Sequence, residues 1–288
     1  MKLPVDFRLL KERYLGVASS EPWVAEKRLA ELVPYLPPDV AEDVRKAIAA
    51  LMIYQGPDYA LLYLGRIGRY AGPGKEPCSF LAALADHMAI RMRYVDPPSV
   101  AQAALAEDGE GANRQAPFCL CDLAGLLPPS AADPVLEVMS YLGLPQRAIV
   151  LRFSSSAGWR RRWSEAWVLL GYARTYSRRA KTESAWIERW LHMIDRVRIS
   201  QPQAVEEMVR TANIVCGSGA DYHRDVANWN VIVDRLVKPV CDGTVAPIDL
   251  AAALRVVLNA ASGRPEPAAL QGQIARLIAA QSSHLQTA

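Results

Sequence analysis

Between Asp39 and Met52 the apolar residues Val40, Val44, Ala47, Ile48, Leu51 and Met52 fall on one helical face, and Glu42, Asp43, Arg45 and Lys46 fall on the other. That pattern predicts a surface helix with one buried stripe. A second helix is expected to start near Pro57, since proline suits a first helical turn. It carries Tyr59, Leu62, Tyr63, Ile67 and Tyr70 up to the stop at Gly72-Pro73-Gly74. A third runs from Ser79 to Tyr94 and ends before Pro97-Pro98.

The period then lapses. From Ala106 to Pro117 the chain is polar and glycine-bearing, which reads as a mobile loop. Short apolar runs beginning at Pro117 and at Arg147 are the two places where strands fit, separated by a helix from Ala132 to Leu142. Helical period resumes over 157–181, 183–197, 203–215, 226–240, 247–260 and from Pro267 onward. The expected fold is therefore mainly α, a multi-helix globular protein with at most a small β-hairpin or two-strand element. Three consecutive regions follow from the pattern: 1–103 helical, 104–156 loop plus a small mixed segment, and 157–288 helical. No fixed-period repeat is visible, which argues against a solenoid.

Composition changes this picture little. The chain has 288 residues, 51% of them hydrophobic and 22% charged, enough apolar material for a sizeable core. Thirty-three basic residues against 30 acidic ones leave a formal charge of +3, so bulk electrostatics calls for neither nucleic acid nor an anionic membrane. The opening MKLPVDFRLLKERYLG places charges inside its apolar pattern and lacks the apolar core of a signal peptide. No uncharged stretch is long enough to span a bilayer, and the expected location is the cytoplasm. Cys78, Cys119, Cys121, Cys216 and Cys241 are odd in number and scattered, which suits reduced thiols better than a disulfide framework.

Several chemistries lack their motifs. Gly72-Pro73-Gly74-Lys75 has neither the leading glycine nor the Ser or Thr of a phosphate loop, and Gly217-Ser218-Gly219 meets Tyr222 where a dinucleotide fingerprint wants glycine. Cys119 and Cys121 form a lone C-x-C with no second pair and no histidine nearby in sequence, so the spacing fits neither zinc nor an iron–sulfur cluster. His87, His192, His223 and His284 are dispersed, and no G-x-S-x-G elbow occurs. The expectation is a protein without metal or organic cofactor.

Four clusters remain, each with a structural and a functional reading. Tyr54-Gln55-Gly56-Pro57-Asp58-Tyr59 with Tyr63 is an aromatic core face or an aromatic slot. His87, Arg91, Arg93, Tyr94 and Asp96 form either a solvated charged face or a site that binds an organic acid and moves a proton. Trp159, Trp163 and Trp167 lie four residues apart among Arg160, Arg161 and Arg162, with Arg174, Arg178, Arg179 and Lys181 downstream. Such a stripe is more often core than platform, although arginine with aromatics also serves single-stranded nucleic acid binders. Asp221, Tyr222, His223 and Arg224, followed by Asn228 and Trp229, sit on a glycine-rich turn entering a helix, the placement typical of site residues.

Taken in order, these clusters resemble landmarks of the C-terminal domain in the fused beta subunit of bacterial indolepyruvate ferredoxin oxidoreductases. Tyr54-Gln55, Asp58-Tyr59-Ala60 and Tyr63-Leu64-Gly65-Arg66-Ile67 are similar to its YQD, YA and YL.RL segment. His87-Met88-Ala89, Met92, Tyr94, Asp96 and Val100-Ala101 resemble its HLA..M.YED stretch. Leu170 to Arg179, Glu183, Ile187-Glu188 and Trp190-Leu191 resemble its arginine-rich segment, and Gly217 to Arg224 with Asn228-Trp229 and Ile232 its GYGDTHRRG turn. The likeness spans residues 25–240. Val95 and Ser218 replace the family's glutamate and tyrosine, and one extra residue lies between Gly219 and His223. The parent's thiamine-diphosphate, ferredoxin-cluster and gamma-type portions have no counterpart here, so electron transfer cannot be carried over.

What the resemblance implies is a site for an indole or aryl acid. The expected activity is a cofactor-free condensation and cyclisation of tryptophan or an indole-derived 2-oxo acid, a Pictet–Spengler reaction giving a β-carboline. The alternative is a subunit or accessory module of a thiamine-dependent indolepyruvate ferredoxin oxidoreductase. Tyr59, Tyr63 or Trp229 would supply the aromatic slot, and Arg91 or Arg93, with Arg224 and Asn228, the carboxylate contacts. Asp96 or Asp221, with His87 and His223, would move protons. The expected partner is a small molecule, with no nucleic acid or membrane; a homodimer is left open.

Overall fold

Proline opens many of the helices, because its fixed φ suits a first turn in which its missing N–H leaves no bond unmade. The computed structural model describes residues 22–72, 77–107, 113–144, 147–216, 219–245 and 248–286. The N-terminal segment, part of the Gly72 to Lys75 turn, the centre of the expected 106–117 loop, and Gly217-Ser218 lie outside the described residues. Helices α1 (Pro22–Leu32), α2 (Pro38–Gln55), α3 (Pro57–Gly68), α4 (Cys78–Met92) and α5 (Pro97–Ala106) come first. Strand β1 (Asn113–Cys119), short α6 (Leu120–Ala124), α7 (Pro129–Tyr141) and strand β2 (Ala148–Ser154) follow. Then come α8 (Trp159–Tyr172), α9 (Arg178–Ser200), α10 (Val205–Arg210), α11 (Gly219–Ile232), a π-turn at Val233–Val237, α12 (Lys238–Cys241), α13 (Leu250–Ser262) and α14 (Pro267–Gln286). The protein is thus mainly α with one two-stranded sheet, as its periodicity predicts. Among the described residues no helix is long and apolar enough to cross a membrane.

Four boundaries differ from the sequence reading. Helix α5 begins at Pro97 itself, where the double proline reads as a stop but serves as a start. Strand β1 begins at Asn113 and is over by Leu120, so the expected strand from Pro117 is half strand and half helix. The helix expected across 157–181 breaks after Tyr172, and Ser177 caps α9 by accepting the Ala180 N–H at 3.1 Å. Helix α11 starts at Gly219 instead of Val226, so Asp221, Tyr222 and His223 stand on its first turn.

The chain forms two compact units interleaved in sequence. Unit 1 holds 1–93, 98–114 and 153–176, and unit 2 holds 94–97, 115–152 and 177–288. In unit 1, α2 packs on α3 and α4 around Val44, Leu51, Leu64, Ile67, Leu84 and Met88. Tyr70 and Phe80 meet edge to face at 5.6 Å. Arg174 is buried there with its guanidinium 3.8 Å from the Tyr54 ring centre, donating 2.6 Å to the Tyr54 carbonyl. The tryptophan stripe of α8 is not core. Trp159 is 73% exposed, Trp163 is exposed and Trp167 half-buried, while the helix buries only its small residues Ser164 and Gly171.

Unit 2 builds its core on three other tryptophans. Trp186 and Trp190 of α9 stack at 6.0 Å, and Trp229 of α11 lies 4.9 Å from Trp186. Two of the buried indoles find acceptors: Trp190 donates to the Met208 carbonyl at 3.2 Å and Trp229 to the Thr211 hydroxyl at 3.1 Å.

Candidate functional site

In unit 2 the end of β1 turns into α6 through Cys119-Leu120-Cys121-Asp122. The Asp122 carboxylate accepts the Cys119 N–H at 2.9 Å, closing the turn at the start of α6. The first turn of α11 comes against it. Gly219 has φ +66°, and a Cβ placed there would stand 2.8 Å from Cys119 Sγ. Only glycine permits that approach. One helical turn on, His223 Nε2 lies 3.5 Å from Cys121 Sγ. The two sulfurs and a carboxylate oxygen of Asp122 all lie within 4.8 Å of one another. Cys119 and Asp122 are buried, Cys121 is half-buried and His223 is exposed, so the group has a closed floor and an open rim.

Behind it Arg179 enters from α9. Its guanidinium donates to Asp122 at 3.3 Å and to Glu183 at 3.0 Å, and packs 3.4 Å from the Tyr222 ring centre and 5.6 Å from that of Tyr94. Glu183 is only 1% exposed, so a carboxylate is held out of water by its cation one helical turn away. Burial disfavours the Arg179 charge, and Glu183, Tyr222 and Asp122 more than restore it, raising its pKa. His223 is held below its ordinary value, first by burial and then by Arg179, which favours the neutral imidazole. The Cys121 thiol is pushed up to about 12 by burial, then by Asp122 and Cys119. A thiol so raised is no free-standing nucleophile.

A family model described as a family of unknown function, DUF6537, matches residues 40–235. The chain belongs to the DUF6537 family. No curated protein and no solved structure matches it. The DUF6537 segment takes in the Cys119 to Asp122 turn, Arg179, Glu183, Tyr222 and His223, and every residue that the sequence singles out for a site.

Those residues are divided between the units of the DUF6537 chain. In unit 1, Tyr63 is fully buried and donates to the Ala85 carbonyl at 3.1 Å, and burial raises its pKa. Tyr59 is half-buried and donates to the Met92 carbonyl at 2.9 Å. Arg91 is buried, whereas Arg93 is exposed and bonds the Ala89 carbonyl at 3.2 Å. His87 is half-buried with Asp86 3.6 Å away. In unit 2, Asp96 is buried at 4% exposure.

On α11 only His223 of the candidate quartet Asp221, His223, Arg224 and Asn228 faces the cysteines. Asp221 is exposed and bridges Arg224 at 3.4 Å and Arg264 at 3.1 Å. Arg224 also reaches Glu266 at 3.3 Å. Asn228 is fully buried and donates to the Pro265 carbonyl at 2.9 Å. Trp229 and Tyr63 present no face to a ligand in this structure. Each has no exposed surface and is packed in the core of its unit.

The sequence weighs Cys119 and Cys121 only as a lone C-x-C and turns them down as metal ligands, names Arg179 and Glu183 only within the basic run and the resemblance, and passes over Asp122. The i, i+4 pairing of Arg179 with Glu183 is readable from spacing. The meeting of Cys121 with His223 is not, because the two lie 102 residues apart.

Proposed function

We propose that this protein binds tryptophan or an indole-derived 2-oxo acid and catalyses a condensation and ring closure of the Pictet–Spengler type, which on tryptophan builds the β-carboline skeleton at its tetrahydro level. The observation that carries the reading is the burial of Asp96. A carboxylate only 4% exposed and held by contacts within the fold keeps a fixed position, which a group that moves a proton requires. Asp96 stands in the stretch that resembles a landmark of indolepyruvate oxidoreductases, which is what supports an indole ligand. The reaction asks for little machinery. Amine and aldehyde lose water to give an iminium, the indole ring carbon attacks it, and a base then takes the ring proton. Asp96 is the group assigned to that last step.

The test is Asp96→Asn, assayed for tetrahydro-β-carboline product from tryptophan and simple aldehydes alongside ligand affinity and melting temperature. The expected result is a loss of turnover on the order of a hundredfold or more, the scale of a lost general base, with affinity and melting temperature nearly unchanged. Full turnover with a lowered melting temperature overturns the role of Asp96. Absence of product from the parent protein overturns the reaction. A second reading, a module supplied in trans to a thiamine-dependent indolepyruvate ferredoxin oxidoreductase, draws support from the near coincidence of the family match, 40–235, with the span of the resemblance. It predicts that the chain stimulates indolepyruvate-dependent ferredoxin reduction by the other subunits and makes no β-carboline alone.

A further inference from the structure

We propose that Cys119, Cys121, Asp122 and His223 form a four-coordinate structural zinc site. The donor set is two thiols, an imidazole and a carboxylate, the combination that suits zinc and disfavours the oxygen-seeking magnesium and calcium. The geometry agrees with a shared ion. Zinc bonds of about 2.3 Å to sulfur and about 2.0 Å to nitrogen at tetrahedral angles put the two donors about 3.5 Å apart. The separation between Cys121 Sγ and His223 Nε2 is 3.5 Å. The two sulfurs and the Asp122 oxygen lie within 4.8 Å of one another, and His223, which meets the group through Cys121, would complete the set by a movement of its exposed side chain.

The surroundings fit a closed site with an entrance. Cys119 and Asp122 form the buried floor, and half-buried Cys121 and exposed His223 form the rim through which an ion can enter. Gly219, with no Cβ, lets α11 come close enough to carry His223 into reach of the turn. Asp122 is already tied to the Cys119 N–H and to Arg179, yet each carboxylate oxygen keeps a second lone pair for a metal. These bonds are the outer contacts that orient a ligating carboxylate. On binding, both thiols give up their protons to solvent and become thiolates. Two thiolates, one carboxylate and a divalent cation leave a single surplus negative charge, and the Arg179 guanidinium, shared between Asp122 and Glu183, offsets part of it. All four protein positions are filled by side chains, so the ion's role is to tie α11 to the end of β1.

The experiment strips the full-length protein with a chelator under reducing conditions, then titrates it with cobalt(II) as a spectroscopic probe and with zinc. The expected result is one equivalent bound, thiolate-to-cobalt absorption with the visible bands of a tetrahedral ion, displacement by zinc, and a raised melting temperature. Cys121→Ser and the rim variant His223→Asn should each weaken binding on the order of a hundredfold while keeping the far-ultraviolet circular dichroism of the parent. Three results overturn the proposal: no thiolate-to-cobalt absorption in the parent, undiminished binding by both variants, or a Cys119–Cys121 disulfide that persists under reductant. The proposal is independent of Asp96, and Asp96→Asn should bind zinc as the parent does.

Discussion

Replacing Gly219 by alanine probes the contact that brings α11 onto the Cys119 turn. Two costs add. Alanine at φ +66° takes on the left-handed backbone penalty of about 1–2 kcal/mol. Its Cβ would also stand 2.8 Å from Cys119 Sγ. Cys119 is buried and cannot swing into solvent, so relief requires a shift of packed structure, at about 1–3 kcal/mol. The expected loss is therefore about 2–5 kcal/mol, measured by denaturant unfolding of the metal-stripped protein so that ion binding does not contribute. The two parts separate in a double-mutant cycle. Cys119→Ala removes the sulfur that the new methyl meets, so in the Gly219→Ala background it should restore the steric share and leave the backbone share. A Gly219→Ala protein as stable as its parent refutes the reasoning. So does a double variant whose loss equals the sum of the two single losses, because the sulfur would then not be what the methyl strikes.

Other expectations follow from the same packing. Arg179→Met leaves Asp122 and Glu183 buried without their shared cation and should cost about 3–5 kcal/mol in denaturant unfolding, more than loss of the exposed Arg161–Glu165 pair. Ser164→Ala removes the hydroxyl that accepts the Ser154 N–H at 2.9 Å inside unit 1, and the stranded donor should cost about 1–3 kcal/mol. Burial raises the Asp225 carboxyl above its ordinary value, against the opposing pull of the Cys216 N–H and Arg264. The fold then holds that proton more tightly than the unfolded chain. Its contribution is fully present below the usual aspartate value of about 3.9 and fades as pH rises through the folded value. Asp225→Asn keeps an oxygen for the Cys216 N–H, so its melting temperature should depend less on pH across the acid range and exceed the parent's at neutral pH.

Periodicity made the helices legible because their cores are striped. Val40, Val44, Ala47, Ile48 and Leu51 are all buried on α2, as their spacing requires. Period failed where burial came from elsewhere. The α8 tryptophans repeat every fourth residue like a core stripe, yet Trp159 and Trp163 remain exposed and small Ser164 and Gly171 make the buried contacts. For the charged stretch ending at Asp96, sequence favoured a solvated face slightly over a site. The structure buries Arg91 and Asp96 and leaves Arg93 exposed, a division that their spacing does not show. The cysteine cluster was hidden for a different reason. Nothing in Cys119-Leu120-Cys121-Asp122 announces a histidine, because His223 reaches it only through the fold.

The interleaving of the two units bears on how the chain can be made. Unit 1 is not complete until Tyr176 has been synthesised, and by then Tyr94–Pro97 and Gln115–Arg152 have emerged without the residues from Ser177 onward that complete unit 2. A nascent chain therefore carries half-built pieces of unit 2 through the whole closure of unit 1, and those pieces wait unpartnered until the last segment is made. For the same reason no single cut yields either unit from a continuous stretch. A gene fragment ending at Tyr176 would keep all of unit 1 and strand two segments of unit 2, and a cut anywhere between 98 and 152 would divide both units.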